Sequence, residues 1–173
     1  MTTHHIEYES QPISDKLVFF GKLSNGDSVC IKFTRSHSQD AHSFCSSIGA
    51  APELLGFQPI AGGWWMVVMA RVGPDYHEFH QLPRDPEIIK KLGFILTQLH
   101  RKNLVHGDVR ETNIMVHRFG KDVKPVNFDW AGEIGVVQYP MNVFRGDRLW
   151  RPAGACDEEL ITTEHDIEML NHL

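Results

Sequence analysis

The chain has 173 residues, 42% hydrophobic and 23% charged, which suits one folded domain or two small lobes sharing a cleft and excludes a disordered chain. Its formal net charge is −5 and its basic residues are scattered, so no nucleic-acid-binding arm is expected. Cys30, Cys45 and Cys156 are odd in number and far apart, which argues against a disulfide framework or a zinc knuckle and predicts reduced thiols in a cytoplasmic or nuclear protein. Met1 to Glu7 hold no apolar stretch, so no secretory signal is expected. The longest apolar run, Trp64 to Ala70, is far shorter than the ~20 residues a membrane-spanning helix needs.

Residues 16–23 and 28–33 read as strands, and Ser24-Asn25-Gly26-Asp27 between them is a hairpin signal. A short helix is expected over 39–47, stopped by Gly49 and Pro52. An apolar stretch at 54–57, a Gly62-Gly63 turn and a strand over 64–69 follow. The second half changes character. Asp85-Pro86 is a helix start, and Ile88, Leu92, Ile95, Leu96 and Leu99 recur at helical spacing. Short strands are expected at 114–116 and 123–128, and a final helix over 162–173 with a capping box from Thr163 to Asp166. This is a strand-rich first part and a helical second part, joined near residues 70–75.

Chemistry concentrates in Leu104-Val105-His106-Gly107-Asp108-Val109-Arg110-Glu111-Thr112-Asn113-Ile114-Met115-Val116. Phosphoryl transfer asks for a carboxylate beside the attacking hydroxyl, an amide oxygen for Mg²⁺ and a cation to offset charge on the moving group. Asp108, Asn113 and Arg110 supply those groups, although turn chemistry between a helix and a strand would explain the same His-x-Asp. Asp129, in Asn127-Phe128-Asp129-Trp130-Ala131-Gly132, closes an apolar strand where it could bind a hard cation or simply cap a turn. Lys32 ends the apolar run Ser28-Val29-Cys30-Ile31, where an ammonium can reach phosphates. His77-Glu78-Phe79-His80 lacks the spacing of zinc hydrolases and reads as surface histidines.

In this order and at these spacings the motifs resemble those of the protein-kinase-like superfamily: V-A-I-K at Lys32, H-x-D-apolar-K/R-x-x-N from His106 to Asn113, and D-F-G at Asp129. The resemblance covers about residues 16–132. It implies an α+β, two-lobed fold in a single domain over 1–173, with a strand-rich N-lobe (about 1–70) and a shortened helical C-lobe (76–173). It implies ATP and Mg²⁺ as cofactors and a protein or small-molecule hydroxyl as acceptor. Lys32 would hold phosphates, Asn113 and Asp129 the metal, Asp108 the acceptor hydroxyl, and Arg110 the charge on the transferred group. Asp40 would orient Lys32, one methylene shorter than the helix Glu of kinases. Asp166 is similar to the helix Asp that braces the kinase catalytic loop, or serves the capping box.

Four departures accompany the resemblance. The D-F-G triplet is Asp-Trp-Ala with Gly one position late, no G-x-G-x-x-G lid precedes Lys32, no A-P-E segment follows Gly132, and known kinase domains are much longer. His106-Gly107-Asp108 and Phe128-Asp129-Trp130 are also similar to aminoglycoside and choline phosphotransferases, but Arg110 stands where those enzymes usually carry His. Three functions stay open: a protein-kinase-like phosphotransferase, a pseudokinase acting as a binding module, and a small-molecule kinase.

Overall fold

Five strands from the first half pair into one antiparallel sheet in the computed structural model, which describes residues 5–120, 122–146 and 149–173. They are β1 (Ile6–Ser10), β2 (Val18–Leu23), β3 (Ser28–Thr34), β4 (Leu54–Ile60) and β5 (Trp64–Ala70), in the order β1-β2-β3-β5-β4. The predicted hairpin joins β2 to β3. Gly26 takes φ 91° there, a left-handed conformation that suits a residue with no Cβ. The strand expected from residue 16 begins at Val18, because Lys16 and Leu17 belong to a loop fastened by Gln11, whose amide donates to Ser14 O (3.3 Å) and Lys16 O (2.9 Å). β1 was not foreseen. It is an edge strand in which only Ile6 is partly buried, so it carries no alternating apolar signal.

α1 (Gln39–Ser47) is capped by Ser38, whose hydroxyl accepts from Ala41 N–H, and its chain reverses at Gly49. β6 (Tyr76–Glu78) leads to α2 (Pro86–His100), which starts as expected with Asp85 accepting from Glu87 N–H at 2.9 Å and Pro86 in the first turn. Its inward face is the predicted set, Ile88, Leu92, Ile95, Leu96 and Leu99, all buried. Fully burying a Leu or Ile side chain stabilises by about 1.5–3 kcal/mol, so this stripe fixes α2 in place.

β7 (Leu104–Val105), β8 (Ile114–His117), β9 (Val123–Pro125), β10 (Gly132–Glu133) and α3 (Thr163–Leu170) complete the chain. β8 lies between β6 and β9, and β10 pairs with β7. The strand expected to reach Phe128 stops at Pro125: proline offers no N–H to extend the ladder, and Asn127 turns to φ 69°. The capping box of α3 also lies one residue earlier than expected. Thr162 is the cap, accepting from His165 N–H (3.3 Å), while His165 Nδ1 receives the Thr162 N–H (3.4 Å). Asp166 is thereby free to point inward.

The main core joins Ala41 and Cys45 of α1 to Leu92, Leu96 and Leu99 of α2, Ile114 and Val116 of β8, Phe128, and Met169 and Leu170 of α3. A second cluster of Val105, Tyr139, Ala155 and Ile161 seats the irregular segment after β10. These two clusters hold the loops on either side of Asp108. Among the described residues, no helix is long and apolar enough to cross a membrane.

Candidate active site

A cleft of about 590 Å³ opens beneath the sheet, lined by Lys32 and Thr34 of β3, by Arg110 and Asn113, and by Asn127 and Asp129 beyond β9. Lys32, two residues before the end of β3, is directed into it. Lys32 Nζ donates to Asp129 Oδ1 at 2.6 Å and to Asn127 Oδ1, and both members of the ion pair keep some solvent contact, with side chains 16% and 22% exposed. Thr34 Oγ1 lies 3.2 Å from Asp129 Oδ2, and His37 Nδ1 lies 3.4 Å from Oδ1. Burial pushes the Asp129 carboxyl up, but the contact with His37 and the bond and charge of Lys32 outweigh it, holding the group below its usual range.

Behind this pair runs a histidine chain. His37 Nε2 sits 2.9 Å from His42 Nδ1, and His42 Nε2 lies 2.9 Å from Pro52 O. A carbonyl only accepts, so His42 Nε2 carries the hydrogen and His42 Nδ1 accepts from His37. His42 is fully buried and stacks on Phe128; burial and the neighbouring His37 lower its pKa to about 4.

The structure does not bring Asp40 to Lys32. Asp40 is exposed in the first turn of α1, whose inward residues are Ala41, His42 and Cys45. Asn127 and Asp129 orient the lysine instead, which corrects the role expected of Asp40.

At the other end of the cleft, Asn113 Nδ2 donates to Asp108 O (2.9 Å) and Asp108 Oδ2 (2.6 Å), while its Oδ1 accepts from Asn127 Nδ2 at 3.4 Å. The amide nitrogen therefore serves Asp108 and the oxygen is turned toward Asn127, two residues before Asp129. Arg110 Nε lies 3.2 Å from Asp108 Oδ2, and Arg151 Nη2 donates to Asp108 Oδ1 at 2.5 Å. Asp108 is only 2% exposed.

Asp166 anchors this loop. It accepts from His106 N–H and Gly107 N–H, both at 2.8 Å, and lies 2.9 Å from His100 Nε2. Gly107 is required here: its φ is 79°, and a Cβ would stand 2.8 Å from Trp130 O. His106, also buried, accepts from Asp108 N–H at 3.3 Å. Burial lowers its pKa against the opposing pull of Asp166 and Asp108.

Of the residues expected from the sequence, Lys32 and Asp129 meet directly, Asn113 and Arg110 meet Asp108, and Asn127 links the two groups. Asn127, His37, His42 and Arg151 were missed. Asn127 adjoins the Phe128-Asp129 motif and had a local signal in principle, since Asn is among the few residues enriched at positive φ. The other three act through contacts with no sequence spacing to betray them.

Mg²⁺ takes hard oxygen donors, commonly one or two carboxylates completed by phosphate and water. The Asp129 carboxylate and Asn113 Oδ1 fit that donor set, with a lysine alongside for phosphate. The described residues contain no cluster of three or more His, Cys, Asp or Glu side chains suited to a metal held by protein alone.

No protein-family model and no curated protein sequence matches this chain. The sheet, the helices beneath it and the loops that carry Asp108 and Asp129 form a protein-kinase-like α+β fold with a short helical part. Among solved structures, the chain is similar to the kinase PK-1 of the Cydia pomonella granulovirus, with a TM-score of 0.75 and 18% identity over 95% of this chain. The match spans 65% of that kinase, so it is a likeness of fold to part of a longer protein.

Proposed function

We propose that this chain is an ATP- and Mg²⁺-dependent phosphotransferase acting on a hydroxyl acceptor, with a protein side chain as the leading acceptor. The observation that carries the reading is the contact of Lys32 with Asp129 inside the cleft, 2.6 Å between residues 97 apart in sequence. Lys32 retains a third ammonium hydrogen for phosphate oxygen. Asp129 and Asn113 Oδ1 would hold Mg²⁺, which when bound neutralises charge on the nucleotide phosphates. Asp108 would orient the acceptor hydroxyl, and Arg110, which borders the cleft, would offset charge on the transferred group.

Thermal unfolding with and without Mg²⁺-ATP tests the nucleotide half of this reading. Ligand at ~100 times its dissociation constant stabilises by ~2.7 kcal/mol. The wild type should gain that shift and Asp129→Asn should lose its Mg²⁺-dependent part; no shift in the wild type would refute the reading.

One observation favours a pseudokinase that binds nucleotide without transferring it: Asp108 is 2% exposed. Phosphate transfer or release from ATP that disappears in both Asp108→Asn and Asp129→Asn separates the two readings. Running that assay with amino-alcohols and aminoglycosides beside protein acceptors separates protein from small-molecule kinase activity.

A further inference from the structure

We infer that Arg151 is a removable seal on the acceptor end of the cleft, and that Asp108 becomes available to a hydroxyl only when residues 149–157 lift. This inference rests on the phosphotransfer reading above and adds a means of regulating that site. A general base must come within about 2.6–3.2 Å of the hydroxyl it serves. Arg151 Nη2 already occupies that shell of Asp108 Oδ1, at 2.5 Å, while Asn113 donates to Oδ2 and Arg110 forms an ion pair with Oδ2 without a hydrogen bond from its Nε.

Those occupants differ in origin. Asn113 and Arg110 lie on the same loop as Asp108 and accompany it in any state of the cleft. Arg151 arrives from a segment 43 residues away. Its side chain is 2% exposed, with the guanidinium 4.5 Å over the Trp130 ring. Apart from Asp108 it has a 3.5 Å contact to the Met169 sulfur, and among the described residues its Nε has no partner. Among those residues, one carboxylate and one ring account for most of its hold.

The backbone around it is clasped from nearby. Arg145 donates to Ala155 O (3.0 Å), Pro152 O (3.3 Å) and Ala153 O (3.1 Å). The Asp157 carboxylate accepts from Asn142 N–H and Val143 N–H, both at 2.8 Å. These bonds keep 151–157 in a fixed turn without touching the cleft, so loosening them should free Arg151 while leaving the nucleotide groups alone.

Carbodiimide coupling of a small amine to carboxylates, read by peptide mass spectrometry on the full chain, reports access to Asp108 without reference to catalysis. In the wild type, Asp108 should resist labelling while exposed Glu87 reacts. In Arg151→Met, Asp108 should label about tenfold faster or more, as expected when a local opening step no longer limits access. Arg145→Ala, which leaves Arg151 itself in place, should move the same way and covers the case in which Arg151→Met fails to fold. Wild-type labelling of Asp108 as fast as Glu87, or wild-type rates in folded Arg145→Ala and Arg151→Met, would overturn the seal. The Mg²⁺-ATP shift through Asp129 is measured separately, so its absence would count against the phosphotransfer reading and leave the labelling result to stand by itself.

Discussion

The two ends of the cleft use ion pairs in opposite ways. At the Lys32–Asp129 end the pair is partly wet, and its members keep bonding capacity pointing into open space. At the Asp108 end the chain's own side chains fill the coordination shell of the carboxylate, and the pair with Arg151 is 2–3% exposed. Desolvating two charges costs several kcal/mol per ion and is recovered only with good geometry and further hydrogen bonds. The buried end is therefore held closed by the chain's own contacts, while the wet end holds interactions in reserve for a ligand. Loss of a contact should accordingly cost the most stability at the buried end, while loss of a ligand-facing charge at the wet end should act on Mg²⁺-ATP binding.

The largest expected effect lies at the buried end. Asp166→Ala removes the acceptor for His106 N–H and Gly107 N–H and the partner of His100 at once. Leaving those donors buried without a partner should cost about 3–5 kcal/mol in urea unfolding. A loss below about 1 kcal/mol, the scale of an exposed pair, would mean that water reaches this loop and that the contrast between the ends is wrong.

Much of this contrast was legible from the sequence where chemistry and local spacing coincide. The loop from His106 to Asn113 announces itself because a carboxylate and an amide five residues apart sit next to an apolar strand, and α2 because Ile88 to Leu99 keep helical period. Lys32 and Asp129 were each readable at a strand end, but their contact joins positions 97 apart, and only the order of the motifs suggested it. Arg151 shows the limit. Nothing in Leu149-Trp150-Arg151-Pro152 distinguishes it from a surface arginine, because its partner is set by how Tyr139, Ala155 and Ile161, on either side of it in the chain, pack with Val105. Asp40 failed for a related reason: helical position alone does not say which turn faces the cleft, and here it is His42, two residues on, that turns inward. β1 left no signal because an edge strand with one partly buried residue has little apolar pattern to show.

The wet end has its own stability device, and it depends on pH. His42 has a folded pKa of about 4 against 6.5 for a free imidazole. Between those values the unfolded chain binds a proton that the folded chain refuses, so stability is full above about pH 6.5 and falls as pH drops toward 4. At about 1.4 kcal/mol per unit the His42 share is about 3 kcal/mol. Buried His106 shifts in the same direction and adds to the trend. Urea unfolding at pH 7 and pH 4 should show His42→Gln losing less stability than the wild type by about that amount. Equal losses would place the acid sensitivity elsewhere, with His106 the first group to examine.

The smallest effect concerns one hydrogen atom. Thr34 Oγ1 lies 2.9 Å from Ser36 O and 3.2 Å from Asp129 Oδ2, and a hydroxyl has a single hydrogen to donate. The shorter distance assigns it to the Ser36 carbonyl, which leaves Asp129 Oδ2 with its lone pairs available for a cation. Thr34→Val should then cost about 1 kcal/mol of stability, the typical worth of one hydrogen bond. Mg²⁺-ATP affinity should stay within about twofold, since Lys32, Asn113 and Asp129, the groups that would hold the ligand, are unchanged. A change of tenfold, about 1.4 kcal/mol, would instead place the hydrogen on Asp129. In that case the chain would be holding this carboxylate as it holds Asp108, and the difference between the two ends would narrow to one of degree.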